Sequence, residues 1–319
     1  MDVFFSVDVE IWCDGWHDID TKFPQAFNRY IYGDTRTGRY GLPYKLQLLQ
    51  EHGLTGVFFV EPLFAARFGI APLAEIVGLI REYGHEVQLH MHTEWVDEAL
   101  TPILQDVAHK RQYLTQFNLD EQITLIDTAK RLIADAGEPT INAFRAGSFS
   151  FNRDTIAALA ANNIRFDSSY NPTMFGLESG LRPNKILTQP TFYDDVFEYP
   201  MTVFNDGKGG LRHAQLGACS FREIEGLLWQ ALESGRDAFM ILSHNFELLM
   251  PKQQKVNKPV LKRFKQLCHF LEKNNDCFTT QGFNQLNGST IDIQPAPLTS
   301  PLWKTSLRML EQLMQRGSA

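Results

Sequence analysis

The sequence predicts an α/β protein whose parallel sheet is closed as a barrel. Short apolar runs alternate with longer segments of helical period along almost the whole chain, the pattern of a parallel sheet with covering helices. Seven or eight such units fit within the 319 residues, and a barrel commonly needs about 250. No Gly-rich phosphate loop follows the first strand, which weakens an open dinucleotide-binding sheet.

Each element follows from a local pattern. VFFSVD (3–8) reads as a buried strand. A long aromatic connection (11–41) separates it from a helix at 43–52 that Gly53 ends. TGVFFV (55–60) is a second strand, PLAEIVGLIREYG (72–84) a helix stopped by Gly84, and HEVQLH (85–90) a third strand. A helix at 119–136 leads to INAFRAG (141–147), and DTIAALAANN (154–163) leads to IRFDSS (164–169). DVFEYPMTVF (195–204) is strand-like, REIEGLLWQALESG (222–235) helical and AFMILSHN (238–245) a strand. A helix at about 254–274 precedes CFTT (277–280). From Thr290 onward, Pro295, Pro297 and Pro301 mark a linker ending in a short amphipathic helix. The expected division is therefore a barrel domain, 1–289, and a tail, 290–319.

Composition narrows the partners. A net charge of −7 argues against nucleic acid or an anionic membrane surface, which need a clustered basic face. The Lys-rich stretch from Lys252 to Lys265 reads as the solvated face of one helix. Cys13, Cys219, Cys268 and Cys277 lack CxxC spacing, which suggests neither a zinc knuckle nor a redox pair. MDVFFSVDVE has no basic leader, and no apolar run reaches the ~18 residues of a membrane span. The expectation is a cytoplasmic protein without an integral membrane segment; the oligomeric state is not legible.

Polar residues end the apolar runs. Asp8 and Glu10 follow the first, His90 the third, Arg145 closes FRAG, Asp167 follows IRF and His244 follows FMILS. In a parallel barrel such ends lie on one rim, where sites form from residues distant in sequence. Asp8 and Glu10, two apart on an extended chain, point the same way. A cation would let both ionise, one as ligand and one as base; otherwise they cap or salt-bridge a strand end. His244 titrates near neutrality and suits a general acid. Arg145 can orient a carboxylate base or form an ordinary ion pair. Asp167 suits either a turn cap or a contact to His244 or Arg145 that fixes a tautomer. In LHMHTEW (89–95), His90 is the first candidate ligand. A helical turn after it brings Glu94 to the same face, whereas an extended chain brings His92.

The order of these motifs resembles the polysaccharide deacetylase superfamily, the NodB-homology group or carbohydrate esterase family 4, over residues 1–285. The resemblance implies a distorted (β/α)7 TIM-like barrel holding one divalent metal, typically zinc, with manganese, cobalt or nickel as alternatives. It also implies hydrolysis of N-acetyl or related acyl groups on amino sugars. Asp8 matches the family's base, Arg145 in RAGSF the arginine bracing it, Asp167 in DSSY the fourth motif, and His244 in ILSH the general acid. Two departures stand out. Val9 separates Asp8 from Glu10 where the family has adjacent aspartates, so Glu10 must supply the ligand. Glu94 stands four after His90 where the family has histidine.

The implied metal set is Glu10, His90 and Glu94, with His92 a further ligand or substrate contact. Such a site is harder and more anionic than two histidines and an aspartate, and more receptive to manganese. DVE with HxHxEW is similar to deacetylases of lipopolysaccharide or surface-glycan biosynthesis. The rival functions are a metal-dependent hydrolase of a formamide or cyclic amide, and a non-catalytic glycan-binding barrel. Loops as long as 11–41 without regular structure are uncommon and often functional. There Trp12, Trp16, Phe27, Tyr30 and Tyr32 form a wall for sugar faces or pack the loop. NDGKGGLRH (205–213) reads as a flexible lid.

Overall fold

The computed structural model describes residues 1–105, 109–183, 185–250 and 255–317. Contacts divide the chain into two compact units. The first comprises Met1–Gly56, Thr202–Gln281 and Pro297–Ala319, the second Val57–Met201 and Gly282–Ala296.

The first unit is built on the strand Asp2–Val9, which pairs in parallel with Ala238–His244 and with Thr279–Thr280. A parallel strand covered on both faces is apolar at successive positions rather than alternate ones. Val3, Phe4, Phe5 and Val7 are accordingly all fully buried. Helices Leu42–Glu51 and Lys258–Lys273 pack on each other, and the Phe5 ring meets Phe264 at 5.5 Å. The second of these helices starts at Lys258, where Asn257 caps it by accepting from the Val260 amide. Lys262 and Lys265 face solvent, as expected; positions 252–254 of the same Lys-rich stretch lie outside the described residues.

Three expectations for this unit change. The 11–41 connection contains a helix, Ile19–Phe27, a wide turn, Asn28–Tyr32, and a small hairpin pairing Asp34–Thr35 with Gly38–Arg39. Phe23, Ala26, Phe27 and Ile31 bury one face of the helix and turn, a helical spacing hidden among the polar residues around it. DVFEYPMTVF is two strands, split at Pro200, which has no N–H for a ladder. Val196–Glu198 belongs to the second unit. Val203–Asn205 pairs instead with Leu211–His213 and with Leu298–Thr299.

NDGKGGLRH is thus a hydrogen-bonded hairpin and not a loose lid. Asp206 accepts from the amides of Lys208 (2.9 Å) and Gly210 (3.0 Å). Arg308, on the terminal helix Leu302–Gly317, reaches Asp206 at 3.2 Å and the fully buried Glu223 at 3.1 Å. Of the segment predicted as a linker and short amphipathic helix, 290–296 groups with the second unit and 297–317 with the first.

In the second unit Gly56–Val60, Glu86–Met91, Ala143–Ala146, Phe166–Asp167 and Val196–Glu198 are successive parallel neighbours, and Thr191–Tyr193 lies antiparallel on the last. Phe58, Phe59, Leu89, Phe144 and Phe166 are fully buried. IRFDSS keeps only two ladder residues because Ser168 and Ser169 turn their hydroxyls inward, to the Tyr199 carbonyl and the Asp167 carboxylate. Helices Ile70–Glu82, Leu119–Asp135 and Arg153–Ala161 pack in succession. Asn118 with Glu121, and Asn152 with Thr155, form reciprocal caps at the starts of the last two. No helix among the described residues is long and apolar enough to cross a membrane, and none of the four cysteines forms a disulfide.

Candidate active site

The polar residues singled out in the sequence lie at the C-terminal ends of parallel strands in each unit. In the first, the ladder sets Asp8 beside His244. The donor atoms of Asp8, Glu10 and His244 lie within 4.8 Å of one another. Asp8 and Glu10 are 2% and 7% exposed, so both acids are largely withdrawn from water. Three hydrogen bonds from two residues fix Glu10. The Trp12 indole donates to its carboxylate at 2.7 Å. Asn245 accepts from the Glu10 amide at 3.1 Å and donates to its carbonyl at 3.0 Å. Trp12 is thus a donor to Glu10 as well as the edge-to-face partner of Trp16, and Tyr30 meets Phe246.

His244 has acids on both sides. Its Nε2 is 4.0 Å from Glu10 and its Nδ1 3.6 Å from Glu247. Burial pulls its pKa down, but Glu247, Glu10 and Asp8 outweigh that and raise it to about 9. Burial pushes Glu247 the other way, yet His244, Lys45 and Gln215 hold its carboxyl at about 2. Lys45 is fully buried and lowered to about 8 by desolvation, which the charge of Glu247 partly offsets. At neutral pH this is an imidazolium, a carboxylate and an ammonium in one chain of contacts.

In the second unit His90 and His92 lie with ring centroids 4.9 Å apart. His90 Nδ1 is 2.8 Å from the Arg145 carbonyl, which can only accept, so Nδ1 carries the proton and Nε2 the lone pair. His92 Nδ1 lies 3.2 Å from the Glu94 carboxylate, with the same consequence. A backbone or carboxylate acceptor on Nδ1 is how proteins orient metal-binding imidazoles. The helical turn expected directly after His90 does not form there. His92 is extended (φ −101°, ψ 111°), and the 3-10 turn begins at Thr93. The reason for Glu94 to rejoin the face of His90 is therefore absent; its carboxylate engages His92 instead. Lys110 holds that turn through the Glu94 carbonyl and the Asp97 and Glu98 carboxylates.

Glu61, at the end of its strand, is also buried nearby. Desolvation raises its carboxyl to about 8, against the Leu63 and Phe64 amides and the charge of His92.

Gly147 in RAGSF makes room for this pair. A Cβ there would stand 2.8 Å from the His92 ring and 2.7 Å from the Met91 carbonyl. Gly147→Ala is expected to displace His92, weaken metal binding and destabilise the fold by about 1–3 kcal/mol. Metal titration alongside thermal melts checks it, and an unchanged affinity would show that His92 needs no such space.

Arg145 is fully buried, its guanidinium 4.3 Å over Phe59 and donating to the Ser168 carbonyl and hydroxyl. Asp167, also fully buried, accepts from Ser169 at 2.5 Å and stands in register with Glu198. Asp167 Oδ2 and Glu198 Oε2 have no other hydrogen-bond partner, so a proton shared between the two carboxyls satisfies both. Burial raises both groups, Asp167 to about 6, and the mutual charge lifts Glu198 well above the usual carboxylate range.

A carboxyl with a raised folded-state pKa contributes stability below its unfolded value and loses it as pH rises through the folded one. For Asp167 that window runs from 3.8 to about 6. Glu198→Gln supplies a permanent donor to Asp167 and removes one charge. It is expected to match or exceed wild-type stability at pH 7 and flatten the dependence across that window. Thermal unfolding from pH 4 to 8 measures this, and a wild-type slope in the variant would refute the shared proton.

Sequence reasoning missed Lys45, Glu61, Glu198, Asn245 and Glu247. Only Glu247 left a signal, standing three residues after His244 in HNFE. The others read as ordinary helix, strand or turn residues until burial is known.

Residues 36–166 match the family model described as polysaccharide deacetylase. His90, His92, Glu94 and Arg145 fall inside that stretch; Asp8, Glu10, Asp167 and His244 fall outside it. No curated protein matches the chain. Among solved structures it is similar to a proposed polysaccharide deacetylase from Mycobacterium smegmatis, with 17% identity, coverage of 93% of this chain and 94% of that one, and a TM-score of 0.56. It is also similar to a 4-alpha-glucanotransferase from Thermococcus litoralis, at 10% identity over 99% of this chain and 46% of that one, with a TM-score of 0.54. At such identities the likeness is one of fold, and it agrees with the (β/α)7-type α/β fold expected from the sequence.

Proposed function

We propose that the chain, whose residues 36–166 match the polysaccharide deacetylase family model, is a metal-dependent hydrolase removing an N-acetyl or related acyl group from an amino sugar. The observation that carries the reading is the pair His90 and His92, each with Nδ1 held by an oxygen acceptor. Two imidazoles presenting Nε2, with a carboxylate, suit zinc and other first-row divalent ions. His90 and His92 would hold the ion, with Glu94 orienting His92, and Glu10 is the carboxylate that the sequence offers as a further ligand. A bound divalent cation supplies Lewis-acid polarisation of the acyl oxygen and a more acidic water.

The protein's own groups do the rest. Asp8, buried and unable to exchange freely with bulk water, accepts the proton of the attacking water. His244, raised to about 9, is an imidazolium at neutral pH and donates its Nε2 proton to the leaving amine. Trp12 and Asn245 keep Glu10 from turning. Arg145 keeps the role of the arginine of RAGSF only by resemblance, and within its own unit its charge favours the ionised forms of Asp167 and Glu198. The proposed substrate is a precursor of surface polysaccharide or lipopolysaccharide, on the strength of the DVE and HxHxEW motifs.

Metal-loaded protein incubated with N-acetyl and N-formyl amino sugars, free and nucleotide- or lipid-linked, tests this. Acetate release is expected. Formate alone would move the activity to a formamide, and release of neither acid would reject the hydrolase.

A further inference from the structure

The sequence offers Asp167 as a turn cap or as a contact to His244 or Arg145, and in its own unit that carboxylate is engaged by Ser169 and Glu198. The neighbours of His244 point elsewhere. The strand Ala238–His244 ends in a tight turn, in which the Glu247 amide donates to the His244 carbonyl at 3.2 Å. That turn returns the Glu247 carboxylate to 3.6 Å from Nδ1 of the same histidine.

The carboxylate is held from behind. The Ser243 hydroxyl donates to it at 2.8 Å and Gln215 at 2.5 Å. The fully buried Lys45 donates to the Ser243 hydroxyl at 2.7 Å, which leaves that hydroxyl proton no choice but Glu247. A side chain at Gly217 would intrude, since its Cβ would stand 2.7 Å from the Glu247 oxygen. The Phe246 ring lies 5.3 Å from the imidazole and limits its rotation.

From this geometry we infer that Glu247 is the positioning residue of His244: it accepts from Nδ1 and so directs Nε2 toward the leaving amine, with Lys45, Ser243 and Gln215 fixing its orientation. The inference rests on the hydrolase reading for its catalytic consequence, while the pairing itself can be read without turnover. Glu247 need not touch substrate. Its part is to hold the acid in one rotamer through the cycle, as acceptors behind metal-bound or catalytic imidazoles do.

The test uses the full-length, metal-loaded protein and three variants. Glu247→Gln is expected to lower kcat about 10–100-fold with KM within about twofold. Glu247→Asp, which keeps the charge, is expected to recover part of the loss. The hydrogen-bonded Nδ1 proton of His244, followed by nitrogen-15 NMR, is expected to persist in wild type and Glu247→Asp and to vanish in Glu247→Gln. Ser243→Ala removes one hold on the carboxylate and is expected to shift both readouts in the same direction, by less, should Glu247→Gln fail to fold. Unchanged kcat and unchanged resonance in either variant would overturn the inference. A resonance that responds as expected in a protein releasing no acyl group would support the pairing and reject the hydrolase.

Discussion

Asp8→Asn is expected to lower kcat by about a hundred- to ten-thousand-fold while metal content stays at the wild-type level. A general base in place contributes about that much, and an amide of the same shape accepts no proton at neutral pH. Asp8 suits the role because it is 2% exposed and stands in register with His244 on the neighbouring strand. The proposed base and acid are thus set by one ladder rather than by two independent loops. Steady-state kinetics with elemental analysis of the same preparations decides the matter. A variant within threefold of wild type would remove Asp8 from the mechanism, and loss of metal would make it a ligand.

The second large effect concerns the imidazole pair. His90→Ala and His92→Ala are each expected to abolish stoichiometric metal binding, whereas Glu94→Gln should retain the ion with affinity reduced about 10–100-fold. The ordering follows from orientation. His90 and His92 each give Nδ1 to an acceptor, and Glu94 is the acceptor for His92. Titration calorimetry with zinc and manganese reads the three affinities. If Glu94→Gln lost the ion and His92→Ala kept it, the ligand would be Glu94 and the site would be the harder, more anionic one.

The parallel strands were legible because burial on both faces leaves unbroken apolar runs such as VFFSVD and GVFFV. The helices were legible from their apolar period and from stops such as Gly53 and Gly84. What escaped were elements whose signal is shared with loops. The helix Ile19–Phe27 carries Pro24 and several polar residues, and only packing shows which of its faces is apolar. Pro200 separates two strands that join different sheets, and a linear pattern cannot say which partner each one finds.

The candidate site divides in the same way. The sequence alone determined which chemistry is available, since Asp8, Glu10, His90, Arg145, Asp167 and His244 each end an apolar run and are carried by it to a strand end. Tertiary structure alone decided what holds them. The turn after His90 begins two residues later than local spacing suggests, because Met91 remains in the ladder and His92 stays extended, and that places His92 rather than Glu94 beside His90. Lys45 and Glu247, 202 positions apart in the chain, share one buried serine hydroxyl. Side-chain hydrogen bonds of that range depend on which strands pair and how deeply each group is buried, and neither is a property of any local stretch of sequence.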